Sequence, residues 1–148
     1  MAGIRLGETA PAFEVKTLGG KTLSAKALHG KVVIVSFWAT WCGPCRQEMP
    51  ALEAYYKAHA KDGLEIVAIS MDDPNKDAKV RQVMTPYSFH GVLQRDAKVT
   101  GYGHVWQLPM AFVIGRDGKV RMDGSQKVTV FDAASLEQIV TPLLKAKA

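Results

Sequence analysis

The chain has 148 residues, enough for one domain with a real core, and its 47% hydrophobic and 22% charged composition is that of an ordinary globular protein. The net charge is only +5 and Lys and Arg are scattered, which argues against nucleic-acid binding. No apolar run approaches the roughly 20 residues a membrane helix needs, and Met1-Ala2-Gly3-Ile4-Arg5 has no apolar signal region.

Residues 11–23 predict a β-hairpin. Phe13 and Val15 alternate with polar neighbours, Gly19-Gly20 supplies the turn, and Thr22-Leu23 begins the return strand. Ser24 is placed to cap a short helix, Ala25 to Leu28, ended by Gly30. Val32-Val33-Ile34-Val35-Ser36-Phe37-Trp38 is apolar on both faces and predicts a central strand of a sheet covered by helices. Met49, Leu52, Tyr55 and Tyr56 recur at helical spacing, predicting a helix to about Lys61, kinked by Pro50 and stopped at Asp62-Gly63. Leu64 to Met71 predicts a second strand, parallel to the first through a right-handed crossover.

Asp72-Asp73-Pro74-Asn75 opens a helix from about Lys76 to Met84. Residues 88–93 predict a short strand and Asp96 to Tyr102 a short helix. A strand at Phe112 to Ile114, a hairpin turn at Asp117-Gly118 and a return strand over Lys119 to Met122 follow. Leu136, Ile139, Val140, Leu143 and Leu144 form the buried stripe of a last helix over 132–145, with Asp132 at its start and a solvated Lys-Ala-Lys tail behind it.

Cys42 and Cys45 are the only cysteines, spaced Cys-x-x-Cys where the central strand meets a helix start. Unpaired N–H groups and the helix dipole favour a thiolate there. Cys42 is the natural nucleophile, and the more shielded Cys45 would resolve a mixed disulfide. Gly43 leaves room for a substrate chain, and Pro44 stiffens the first turn. A purely structural disulfide would close too short a loop to add much entropy. Zinc would need about four ligands, and His29, His59, His90 and His104 show no ligand spacing; each reads as a surface or turn residue.

The stretch Phe37-Trp38-Ala39-Thr40-Trp41-Cys42-Gly43-Pro44-Cys45 resembles the active site of the thioredoxin superfamily. The wider context resembles its TlpA/ResA branch: Gly7 to Phe13, Cys45-Arg46-Gln47-Glu48-Met49-Pro50, and Leu108-Pro109 ahead of Phe112 to Gly118. That resemblance covers nearly the whole chain. It implies an α/β thioredoxin fold in one domain, residues 1–148, with a central mixed β-sheet flanked by helices and an N-terminal β-hairpin extension. It implies a monomeric thiol:disulfide oxidoreductase that consumes no cofactor and binds no metal. The partners would be a disulfide-containing protein and an upstream dithiol protein that donates electrons. It also implies a place in the bacterial cell envelope or periplasm, with a signal or anchor absent from this chain; a cytoplasmic place is the alternative. A role of the branch is keeping envelope thiols reduced, such as those of apocytochrome c before haem attachment.

Site roles follow residue by residue. The resemblance makes Pro109 cis and sets it against the cysteine pair, leaving the Leu108 backbone to pair with an extended substrate. Trp41, at the strand exit, would flank the substrate groove, while Trp38 packs in the core. Thioredoxin's buried aspartate corresponds to Ser36, and the lysine paired with it corresponds to Ala68. Proton handling then falls to another acid. Glu48 matches a glutamate common in the branch, and Asp73, rather than Asp72, matches an acid that approaches the cysteines. Two other readings stay open. A peroxiredoxin-like peroxidase is suggested by Ala10-Pro11-Ala12-Phe13, although Thr40 lies two residues before Cys42 and lacks the required proline. A thioredoxin-fold metal-binding module is the other; two thiolates could hold Cu(I), but His104 is badly placed to help.

Overall fold

The computed structural model describes residues 4–146. The first three residues and the last two, the latter including the end of the Lys-Ala-Lys tail, lie outside the described residues. Seven strands form one sheet in the order β2-β1-β5-β4-β3-β6-β7. The N-terminal hairpin is β1 (Glu14–Thr17) with β2 (Thr22–Ser24), antiparallel with Val15 opposite Leu23.

At the centre, β3 (Val32–Trp38) is buried along its whole length. It runs parallel to β4 (Leu64–Ser70) and antiparallel to β6 (Met110–Ile114). A central strand has no solvent face, so both sets of alternating side chains are apolar. Val32, Ile34 and Trp38 pack under α1 (Gly43–His59), while Val33, Val35 and Phe37 join Phe13, Val15, Tyr102 and Phe112 on the other face. Ser36 shares the α1 face by the same alternation, and its register partner on β4 is Ala68.

Three expected helices turn out differently. After Ser24 the chain makes one turn rather than a helix: the Ala27 N–H donates to Ser24 Oγ at 3.0 Å, and Gly30 leaves it with φ +92°. The expected helix over Asp96 to Tyr102 is instead the second half of β5 (His90–Lys98) followed by a 3-10 turn at Thr100–Tyr102. The strand is nine residues long because it serves two neighbours. His90 to Leu93 pair parallel with β4, and Val92 to Lys98 pair antiparallel with β1. The last helix is split into α3 (Ala133–Ile139) and α4 (Thr141–Lys145), since Pro142 has no N–H to continue the ladder. Asp132 and Ser135 form a reciprocal cap on α3. Between β4 and β5 lie a 3-10 turn at Pro74–Lys76 and α2 (Asp77–Met84). β7 (Val120–Asp123) closes the far edge of the sheet.

Arg116 ties the lower end of the sheet together. Its guanidinium donates to the carbonyls of Gly30 (3.0 Å), Asp62 (2.6 Å) and Leu144 (2.8 Å), joining three segments distant in sequence. Gly63, at φ +94°, must stay a glycine there, because a Cβ would lie 2.7 Å from Arg116 Nη1. Charge-assisted bonds contribute about 1.5–3 kcal/mol each when half-buried, less when exposed. An Arg116→Ala variant is therefore expected to lose about 2–3 kcal/mol in urea unfolding; an unchanged midpoint would show that water replaces all three bonds.

Candidate active site

Cys42 and Cys45 are joined as a disulfide with their Cα atoms 5.3 Å apart. Cys42 is the N-cap of α1, in extended conformation, and the Cys45 N–H points at Cys42 Sγ at 3.3 Å. Pro44 occupies the first turn, where its missing N–H costs nothing. The two residues differ in access: Cys42 is 6% exposed and Cys45 0%. Gly43 and Pro44 are exposed beside them, and Trp41 is 72% exposed, whereas Trp38 is core.

The Leu108–Pro109 peptide bond is cis. Met110 pairs with Phe37, so Pro109 sits beside the end of β3 from which the cysteine loop departs. Leu108 is half-buried and packs against both core clusters, one of which contains the two cysteines.

Glu48 lies one turn beyond Cys45 on the same buried face of α1. One carboxylate oxygen accepts the Phe131 N–H at 2.8 Å, and the group also bonds Ser36. Burial pushes its pKa up from 4.5 to about 7, outweighing both hydrogen bonds. The carboxyl absent from the strand at Ser36 is thus replaced by one reaching the same spot from the helix.

Asp73, the expected acid of this loop, makes no side-chain hydrogen bond among the described residues. It is exposed at the start of the 3-10 turn and makes no side-chain cap. Its neighbour Asp72 turns inward instead, 5% exposed. Asp72 accepts from the Thr40 N–H (2.9 Å), the Thr40 hydroxyl and the Ser70 hydroxyl (2.7 Å). Arg46 donates to the Thr40 carbonyl at 3.1 Å. Every polar group of Thr40, two residues before Cys42, is therefore held. The sequence offered two adjacent acids, and the direction of one turn residue decides between them.

His90 contacts Glu65 at 3.1 Å near the start of β4, where Tyr56 and Lys31 also reach that carboxylate. The His90 bond leads in holding the Glu65 pKa down to about 2. Among the described residues, no three His, Cys, Asp or Glu side chains converge as a metal site, and no helix is long and apolar enough to cross a membrane.

A Cys-x-x-Cys disulfide at a helix N-terminus, fed by the central strand of a mixed sheet and flanked by a cis-proline, defines a thioredoxin-fold thiol:disulfide oxidoreductase. The AhpC/TSA family model matches residues 6–122, and the chain belongs to that family. It is 37% identical over 119 residues to the thiol-disulfide oxidoreductase ResA of Bacillus anthracis, covering 79% of this chain and 68% of that protein. It is 37% identical over 121 residues to the thioredoxin-like protein YneN of Bacillus subtilis, covering 80% and 71%. A solved thiol:disulfide interchange protein of the thioredoxin family from Chlorobium tepidum superposes with a TM-score of 0.76 at 28% identity, over 97% of this chain and 99% of that one.

Proposed function

We propose that the protein reduces disulfides of other proteins, with Cys42 as nucleophile and Cys45 as resolving thiol. The observation that carries this reading is the unequal access of the two cysteines at one helix N-terminus, with a buried carboxyl near neutral pKa one turn along the same helix. The Cys42 thiolate attacks one sulfur of the substrate disulfide. The substrate bond breaks, its other sulfur leaves as a thiolate and takes a proton, and a mixed disulfide remains. Cys45 then gives its proton to Glu48 and attacks Cys42 Sγ, which expels the second substrate thiol. Two electrons pass to the substrate, and the 42–45 disulfide is left behind. A dithiol protein must return those electrons before the next cycle.

In this reading Trp41, Gly43, Pro44 and Leu108 border the substrate, and Pro109 keeps the Leu108 backbone available to it. Asp72 replaces Asp73 as the acid of the neighbouring loop, acting on Thr40 rather than on a sulfur. The likeness to the TlpA/ResA branch supports a place in the cell envelope, with cytochrome c thiols among the substrates.

Direction of transfer is decided by the reduction potential. Equilibration with glutathione and dithiothreitol buffers is expected to place the pair near thioredoxin's value of about −270 mV. A value near about −120 mV, that of a protein that donates its disulfide, would reverse the assignment.

A further inference from the structure

Loops cover the face of the sheet opposite α1. No α-helical residue belongs to the apolar cluster there; the N-terminal segment, the turn after Ser24 and the 3-10 turn at Thr100–Tyr102 lie over it instead. Beneath the first two of these a cavity of about 250 Å³ remains. It is walled by Phe13, Leu28, Val33 and Ile114, at the end of β3 remote from the disulfide. Leu28 and Ile114 each keep 5% exposure, whereas Val35, one step further along the same face of β3, keeps none. The core is sealed towards the cysteines and left open at this end.

The cavity is held open by its own backbone. The turn after Ser24 is pinned at both ends: the Ala25 N–H donates to the Phe13 carbonyl at 3.1 Å, and the Gly30 N–H to the Arg116 carbonyl at 3.1 Å. The N-terminal segment is pinned by the Ala10 N–H on the Gly118 carbonyl at 2.8 Å. Neither settles onto the sheet without giving up these bonds. The side chains at the opening, Ala10, Ala12 and Ala25, are too short to fill it.

The mouth is cationic. Lys26, His29 and Lys31 line it, and no Asp or Glu does among the described residues. Lys31 leans on Glu65 at 3.5 Å. Lys26 and His29 have no ion-pair partner among the described residues. The His29 ring lies against the Gly118 backbone, where a Cβ would come 3.3 Å from His29 Cδ2. An apolar void with charges of one sign at its mouth suits an anion with an apolar body. The tail takes the wall out of water, and the head meets the cations. A neutral hydrocarbon would leave the cations unused.

We infer that this cavity binds a single-chain carboxylate, with its chain against Val33 and Ile114 and its head between Lys26 and His29. A void of roughly 150 Å³ takes the six carbons of benzene, so in proportion this one has room for about ten. Val33 lies five residues before Trp38, about 17 Å along the strand from where the cysteine loop departs. The site therefore stands independently of the reductase reading.

The test follows amide NMR shifts of the full oxidised chain, titrated at neutral pH with hexanoate, octanoate, decanoate and tetradecanoate below their micellar concentrations. Affinity is expected to rise about fourfold per added CH₂ up to decanoate, then to level off as the cavity fills. The shifts should centre on Ala25, Leu28, Val33 and Gly118. Octanol is expected to bind about fivefold more weakly than octanoate, the upper end for an exposed ion pair, and octylammonium more weakly still. Ala25→Phe, which fills the mouth, should abolish the shifts, and Lys26→Glu with His29→Glu should reverse the order of octanoate and octylammonium. Unchanged reduction of dithiobis(nitrobenzoate) by the reduced variants checks that they are folded, and the series on the unmodified protein decides the question without them. The site is overturned by any of four results: no saturable shift with decanoate, an affinity still climbing at tetradecanoate, equal affinity for octanoate and octylammonium, or shifts centred on Trp41 and Leu108.

Discussion

A Cys45→Ala variant is expected to accumulate a stable mixed disulfide with its substrate, while Cys42→Ala forms no adduct and turns over no substrate. Both lose steady-state reduction by about 10³-fold or more, as expected when either part of a covalent unit is removed. The asymmetry follows from position. Cys42 caps α1, where the dipole and free N–H groups favour its thiolate, and it retains a sliver of exposure. Cys45 is sealed below it and reaches only Cys42 Sγ. Removing Cys45 leaves attack intact and takes away the intramolecular resolution that makes the adduct short-lived. Non-reducing electrophoresis and intact mass spectrometry read the adduct directly. Normal turnover by Cys45→Ala would sink the two-thiol mechanism, and adduct formation by Cys42→Ala would exchange the two roles.

What was legible beforehand was local. The β-branched run 32–38, the two cysteines at a helix start and the Asp117-Gly118 turn each carry their conformation in adjacent residues, and each lies where expected. Non-local effects were not legible. Asp96 to Tyr102 reads as a short helix; its first residues are extended because β5 passes from β4 to β1. The Pro142 break was present in the sequence but masked by a strong apolar stripe on either side of it. Within the site, the cysteines could be named from spacing and Glu48 from the family resemblance, but the inward turn of Asp72 depends on a contact with Thr40 made 32 residues away. The exposure of Trp106 gave no signal, since an exposed tryptophan in a loop resembles any packed one until the fold is known.

A Glu48→Gln variant is expected to change both stability and rate, with a common pH signature. The native carboxyl titrates near pH 7 because it is buried, against 4.5 in the unfolded chain. The folded protein therefore holds a proton that the unfolded chain gives up between these values. The stabilisation from the protonated group is fully present below about pH 4.5 and is lost as pH rises through about 7. A shift of this size corresponds to about 3 kcal/mol. Glutamine can still accept the Phe131 N–H and remains neutral, so urea unfolding from pH 4.5 to 8 should lose that slope, leaving the variant the more stable protein at pH 8. The rate moves the other way. Cys45 must shed its proton before it can attack, and a carboxylate one turn along the helix accepts it in a site closed to water. Removing the acceptor should slow resolution by about 100-fold, the lower end for a positioned base. It should also remove an inflection near pH 7 from the single-turnover profile. A merely structural role would alter stability while leaving that inflection in place. Retention of the inflection in Glu48→Gln, with native-like folding, would therefore assign the proton to another acceptor.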